Sequence, residues 1–165
     1  MESTAERVKQ KFPNLVTEAS ADRSGECVRA KREGIRDLLA GLKKDAEFDF
    51  NLLVDLFAVD YLHWEEKEIR FEVVYNLFSM SKNRRLFVKV AVPELDPEID
   101  SAVALWPAAD WYEREAWDMM GLVLKGHPNL KRILNMDEMN YFPMRKEYAL
   151  EDGTRDDKDD KMFGR

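Results

Sequence analysis

Glu113, Arg114, Glu115 and Asp118 put three carboxylates and a guanidinium within one short stretch, and they are the first candidates for chemistry. Paired carboxylates can share proton donation and acceptance, but only in a concave site that shifts their pKa values. Sequence shows neither condition, so capping and solvated helix charges, or partner docking, are the plainer readings. His127 is the second candidate, as general base or ligand. It has no neighbouring Ser, Cys or second His to complete a nucleophile system, which favours a structural role at its turn. Lys125, His127, Lys131, Arg132, Arg145 and Lys146 are the third candidate, the most basic part of an acidic chain. They form either a solvated face or a surface for acidic partners, with Arg132 and Arg145 suited to multi-donor contacts with carboxylates. An independent small enzyme using Glu113, Asp118 and His127 remains the rival to partner docking.

Other chemistries have thin support. Cys27 is the one cysteine and His63 and His127 the two histidines. No disulfide can form within the chain, an iron–sulfur cluster needs about four thiolates, and zinc has too few ligands. One cysteine suits a reducing compartment. Gly126 stands alone, with no Gly-rich phosphate loop for a nucleotide. A net charge of -7 argues against nucleic acid, since phosphate binding needs a basic face. Trp106, Trp111 and Trp117 read as core or interface anchors.

The elements that must position these residues follow from periodicity. A chain of 165 residues, 45% apolar, suggests one domain with a sizeable core. Ser3 and Glu6 make a capping-box pair ahead of a stripe of Ala5, Val8 and Phe12, and Pro13 ends that helix. Leu15 to Ser20 and Glu26 to Lys31 read as a hairpin around Ala21 to Gly25. Ile35, Leu38, Leu39 and Leu42 predict a second helix. Phe48 to Tyr61 is apolar on both faces, as a central strand would be. Glu68 to Ser79 and Arg85 to Val92 alternate, joined by a turn at Met80 to Asn83. Pro93 and Pro97 bracket a loop.

The candidate residues then fall on a third helix. Asp110 is read as its N-cap and Glu113 as the capping-box partner. Tyr112, Ala116, Met119 and Met120 share an apolar face, and Arg114 and Asp118 are spaced to pair. Gly121 stops the helix as a left-handed cap. His127 is pushed toward extended backbone by Pro128, and Gly126 and Pro143 mark further turns. The expected fold is α+β, two layers, with helices on a mixed five-stranded sheet. Residues 1–134 form the domain and 135–165 an extended partner-binding segment. Leu150 to Lys161 is almost wholly polar and cannot offset its own ordering entropy, so its order must come from neighbours. The first six residues lack the basic segment and apolar core of a signal peptide, and no apolar run approaches the roughly 20 residues of a membrane span.

The runs Glu113 to Gly121, Gly126 to Leu134 and Pro143 to Tyr148 resemble the signature of the C-type subunit of respiratory complex I. This is the thirty-kilodalton subunit of NADH:quinone oxidoreductase. Leu53 to Tyr61 and Phe71 to Tyr75 also match, so the resemblance covers most of the chain from the second helix onward. The chain departs at Tyr141, where the family has Gly, at Met144 for Leu, and at Glu147 for Asp. The resemblance implies a peripheral-arm subunit that binds no cofactor itself, while FMN, iron–sulfur clusters and quinone belong to other subunits. It implies a hetero-oligomer with the quinone-module subunits of B and D type, on the cytoplasmic side of a bacterial plasma membrane. A chloroplast relative, the J-type subunit, and a subunit of a related membrane-bound hydrogenase are the variants of that reading.

Overall fold

The structure, a computed structural model, describes residues 2–22 and 25–148. The expected polar tail after Leu150, and the middle of the Ala21 to Gly25 turn, lie outside the described residues.

Helix α1 (Thr4–Lys11) opens on Ser3, whose side chain accepts from the Glu6 N–H while the Glu6 side chain accepts from the Ser3 N–H. This is the expected capping box. Strands β1 (Val16–Asp22) and β2 (Gly25–Ala30) form the expected antiparallel hairpin, and α2 (Ile35–Lys44) follows with Ile35, Leu38, Leu39 and Leu42 fully buried. Then come β3 (Leu52–Asp60), β4 (Phe71–Ser79) and β5 (Arg84–Val92), an antiparallel meander. Parallel pairing of β2 with β5 joins hairpin to meander in one mixed five-stranded sheet, ordered β1-β2-β5-β4-β3. Leu86, Val88, Val90 and Val92 of β5 are all fully buried, with Val28 of β2 and Val8 of α1 in the same core. Each such side chain contributes roughly 1.5–3 kcal/mol, which accounts for the helices settling on that face.

Two expectations about strands need correction. The strand within Phe48 to Tyr61 is not central: β3 is an edge strand. A bulge between Leu53 and Asp55 breaks its alternation, so Leu53 and Leu56 are buried while Leu52 and Phe57 are exposed. Two-faced apolarity there reflects the bulge and the packing of a later helix, not sheet neighbours on both sides. The strand buried on both faces is β4, which read as one-faced because Glu72 and Asn76 look solvent-bound. Glu72 is instead buried beneath Arg29 Nη1 (2.8 Å), the Tyr61 hydroxyl (3.0 Å) and Lys67 Nζ (3.3 Å).

Two further strands escape periodicity because each has three residues. β6 (Glu98–Asp100) and β7 (Val123–Lys125) pair in parallel as a separate ribbon. Between them in sequence lies α3 (Ala109–Met120), and the ribbon ties both ends of that helix together. The Ser101 N–H donates to the Lys125 carbonyl at 2.9 Å, and the Val123 N–H to that of Pro97 at 2.8 Å.

Candidate functional site

The chain enters α3 through turns rather than through a side-chain cap. Ala108 is already right-handed helical, with φ -61° and ψ -25°. The Ala109 N–H donates to the Trp106 carbonyl (2.9 Å) and the Asp110 N–H to that of Pro107 (3.2 Å). Main-chain acceptors thus take the first helical donors, and neither Asp110 as N-cap nor Glu113 as its capping partner is correct. Asp110 lies inside the helix against His127, whose ring is fully buried. His127 Nε2 is 3.1 Å from both the backbone carbonyl and Oδ1 of Asp110, and Nδ1 accepts from the Asn129 N–H at 3.0 Å. With Nδ1 occupied as an acceptor, the proton of the neutral ring belongs on Nε2, where it holds the turn to the helix. The structural role expected of His127 is the one it has.

Glu113 points inward. It is fully buried, with Oε2 accepting from the Ser101 hydroxyl and Oε1 from the Ala102 N–H, both at 2.6 Å. Burial pushes its carboxyl up, outweighing those two bonds. Close by, the Tyr75 hydroxyl is buried with no hydrogen-bond partner among the described residues. Burial, and then the carboxylates of Glu113 and Asp100, push that phenol far up.

Arg114 and Asp118 do not pair with each other, because the segment following β7 supplies better partners. Arg114 Nε and Nη2 donate to the carbonyls of Lys131 (3.2 Å) and Arg132 (3.0 Å). Asp118 is fully buried. Its Oδ1 accepts from Arg132 Nη1 (2.6 Å) and Asn135 Nδ2 (3.1 Å), and its Oδ2 from the N–H groups of Ile133 (3.1 Å), Leu134 (2.8 Å) and Asn135 (2.9 Å). Burial would raise this acid. The three amides and the guanidinium outweigh it, and hold the carboxyl far below the usual range.

The segment from Lys131 to Tyr148 is therefore strapped over the last turns of α3. Gly121 caps the helix at φ 74°, as expected, and closeness requires it too: a Cβ there would lie 2.5 Å from Phe142 Cε2 and 2.7 Å from Arg145 Nη2. Arg145 Nε donates to the Met120 carbonyl (2.8 Å) while its guanidinium stacks on Phe142 and Phe71. The Met144 N–H reaches the Met119 carbonyl at 3.1 Å, and the Lys146 N–H reaches Asp60 Oδ2 at 2.9 Å. Asp60 in turn grips Arg70 through two donors, at 2.8 and 3.0 Å, and Glu147 also reaches Arg70. Pro143 sits within the turn whose Arg145 N–H returns to the Phe142 carbonyl, and Gly126 has φ 83° ahead of the exposed Pro128.

Glu113, Arg114, Asp118 and Arg132 are thus committed to internal bonds, whereas Glu115, Lys131 and Lys146 have exposed side chains. Sequence reasoning missed Ser101, Tyr75, Asp60 and Arg70. Asp60 had a usable signal, since it lies in the Leu53 to Tyr61 run that carries part of the resemblance. Apolar side chains on α3 and the strap are exposed as well: Trp111 at 59%, Leu134 at 64%, Met136 at 69% and Met144 at 50%. Among the described residues, no three His, Cys, Asp or Glu side chains come together as a metal site. No described helix is long and apolar enough to cross a membrane.

Several known proteins resemble this chain. A family model described as respiratory-chain NADH dehydrogenase, 30 kDa subunit, matches residues 28–154. The NADH-quinone oxidoreductase C subunit of Citrifermentans bemidjiense is 42% identical over 91% of this chain and 90% of its own length. Its counterpart in Geobacter metallireducens is 41% identical with the same coverage. Among solved structures, a trypsin-resistant fragment of Nqo5 superposes with a TM-score of 0.66 and 33% identity, covering 76% of this chain and 95% of the fragment. A chain of the membrane-bound sulfane sulfur reductase, an archaeal respiratory membrane complex, superposes with a TM-score of 0.72 and 26% identity, covering 88% of this chain and 83% of its own.

Proposed function

The chain belongs to the family of the 30 kDa subunit of respiratory-chain NADH dehydrogenase, and from that membership we propose that it is a structural, non-catalytic subunit of a proton-translocating NADH:quinone oxidoreductase. It sits in the peripheral arm, on the cytoplasmic side of the plasma membrane, as one member of a hetero-oligomer. There it docks the cluster-bearing and quinone-site subunits of B and D type. The flavin, the clusters and the quinone reside in those and other subunits, and none in this chain.

One observation carries the reading. Glu113, Arg114, Asp118 and Arg132, the charged residues that looked most like chemistry, are spent on bonds within the fold, while apolar Trp111, Leu134, Met136 and Met144 are exposed on the same helix and strap. Glu113, Asp118 and the His127 ring present no atom to a substrate. Charge builds a rigid platform here, and Trp111, Leu134, Met136 and Met144 supply contact area, the division of labour of an interface. In this reading residues 135–165 are the partner-binding segment.

A subunit of a related membrane-bound complex is the second reading, supported by the likeness to the sulfane sulfur reductase chain. Mass spectrometry of what the tagged full chain brings from solubilised membranes separates the two. Flavin- and cluster-bearing subunits of an NADH dehydrogenase are expected; hydrogenase- or reductase-type subunits favour the second reading, and recovery of the chain alone overturns both. Elemental analysis and a visible spectrum of the isolated chain should show no stoichiometric iron, zinc or flavin.

A further inference from the structure

Between the edge of the large sheet and α3 runs a groove of about 250 Å3, lined by Leu56, Phe57 and Ala58 of β3, by Ala116 and Met119 of α3, and by Met144 of the strap. Successive strand residues point to opposite faces of a sheet. A groove touching three in a row must therefore follow the edge of the strand. Among the described residues, β3 has β4 on one side and no strand on the other. No described strand pairs with the outward backbone groups of that edge. Near the start of the edge, α3 covers it: the Tyr112 hydroxyl donates to the Val54 carbonyl at 3.0 Å. Beyond that point the groove is open, with Phe57 40% and Met144 50% exposed at its mouth.

The groove has the chemistry of a receiving site. Met119 and Met144 are unbranched and polarizable, so they conform to an apolar side chain of irregular shape. Glu115 stands on the lip, exposed, and makes no salt bridge among the described residues. A single carboxylate beside an apolar slot selects a cation beside an apolar side chain.

We propose that this groove receives an extended segment of a partner subunit, laid along β3, that inserts an apolar side chain and sets a Lys or Arg against Glu115. The inference rests on the subunit reading and adds the surface and the chemistry of the segment that occupies it. An edge strand with a side-chain pocket beside it is the general arrangement by which extended segments are bound, the backbone giving affinity and the pocket specificity.

The test uses the tagged full chain in its own membranes, with the photo-crosslinker p-benzoyl-phenylalanine at position 57. Irradiation should join it to one other subunit of the co-purified complex, at a peptide holding a Lys or Arg next to an apolar residue. Glu115→Lys and Met144→Glu, both at exposed positions, should lower recovery of the complex by roughly tenfold while the melting temperature of the isolated chain stays put. If wild-type chain recovers the complex but position 57 gives no adduct, or an adduct with a second copy of itself, the groove is not this site and the subunit reading stands. Undiminished recovery with both variants has the same meaning. If wild-type chain recovers no other subunit, the subunit reading falls and this inference with it.

Discussion

Glu113 and Asp118 sit on the same helix, both fully buried, and their carboxyls are driven in opposite directions. The helix dipole should favour ionised Glu113, near the positive N-terminal end, and disfavour Asp118 near the negative end. Burial should penalise both. What separates them is the supply of donors. Glu113 has one hydroxyl and one amide, with no cation in contact among the described residues. Asp118 has a guanidinium, three backbone amides and a side-chain amide. A buried carboxylate is thus set by how many donors the fold aims at it, and the strap after β7 is what aims them at Asp118.

The strongest way to break the contrast is Asp118→Asn, which leaves the nearly buried Arg132 guanidinium without its counter-charge. Urea unfolding should show a loss of about 3–5 kcal/mol. The pH dependence follows from the lowered carboxyl. Its stabilisation is present above the unfolded aspartate value of about 3.9 and is lost as pH falls through the folded value, so wild type should lose stability in acid and the variant should not lose this share. If Asp118→Asn costs no more than the changes below, donor supply is not what distinguishes the two ends.

Gly121→Val disturbs the strap at Phe142 and Arg145 without substituting either carboxylate. Left-handed backbone and the clash with Phe142 and Arg145 should together cost about 1–3 kcal/mol, read as a lower thermal midpoint. A variant that melts like its parent would show that the strap can lift without consequence.

At the other end, Tyr75→Phe deletes a buried hydroxyl with no partner among the described residues, and a gain of about 1–2 kcal/mol is expected from chemical denaturation. Destabilisation would instead reveal a bridge from this hydroxyl toward Glu113. Glu113→Gln should be the mildest change, within about 1 kcal/mol of wild type, because a carboxamide can still accept from Ala102 and donate to Ser101. Its effect should grow with pH. A raised carboxyl contributes stability that is full below the unfolded glutamate value of about 4.3 and lost as pH rises through the folded value. Wild type should therefore weaken relative to the variant toward alkaline pH, and parallel stability curves from pH 5 to 9 would show that Glu113 is not pushed up.

Elements stabilised by their own sequence were legible in it. The Ser3–Glu6 box, the stripe of Ile35, Leu38, Leu39 and Leu42, and the alternation from Leu86 to Val92 each carry cause and effect within a few residues. Where the cause is distant, sequence misled. Asp110 has the right type and place for a cap, yet the turn at Trp106 and Pro107 satisfies the helix first. Arg114 and Asp118 have pairing distance, yet each finds partners 14 to 18 residues on. The bulge in β3 left an edge strand looking like an interior one. Which of the candidate residues face inward was decided by chain that had not yet been folded over them.

The parallel pairing of β2 with β5 carries a different consequence, for the order in which the molecule assembles. Glu26 lies opposite Leu86, sixty positions later, whereas β3, β4 and β5 are joined in succession. Closing a longer loop costs only (3/2)RT times the logarithm of its length, yet no contact rewards that cost until the ends meet. The meander should consequently form as an early unit and the hairpin should dock onto β5 afterward, with α1 and α2 carried along. Hydrogen exchange under mild denaturant should register this as two tiers: amides between β4 and β5 opening only with the whole molecule, and those between β2 and β5 opening at a lower free energy as the hairpin peels away.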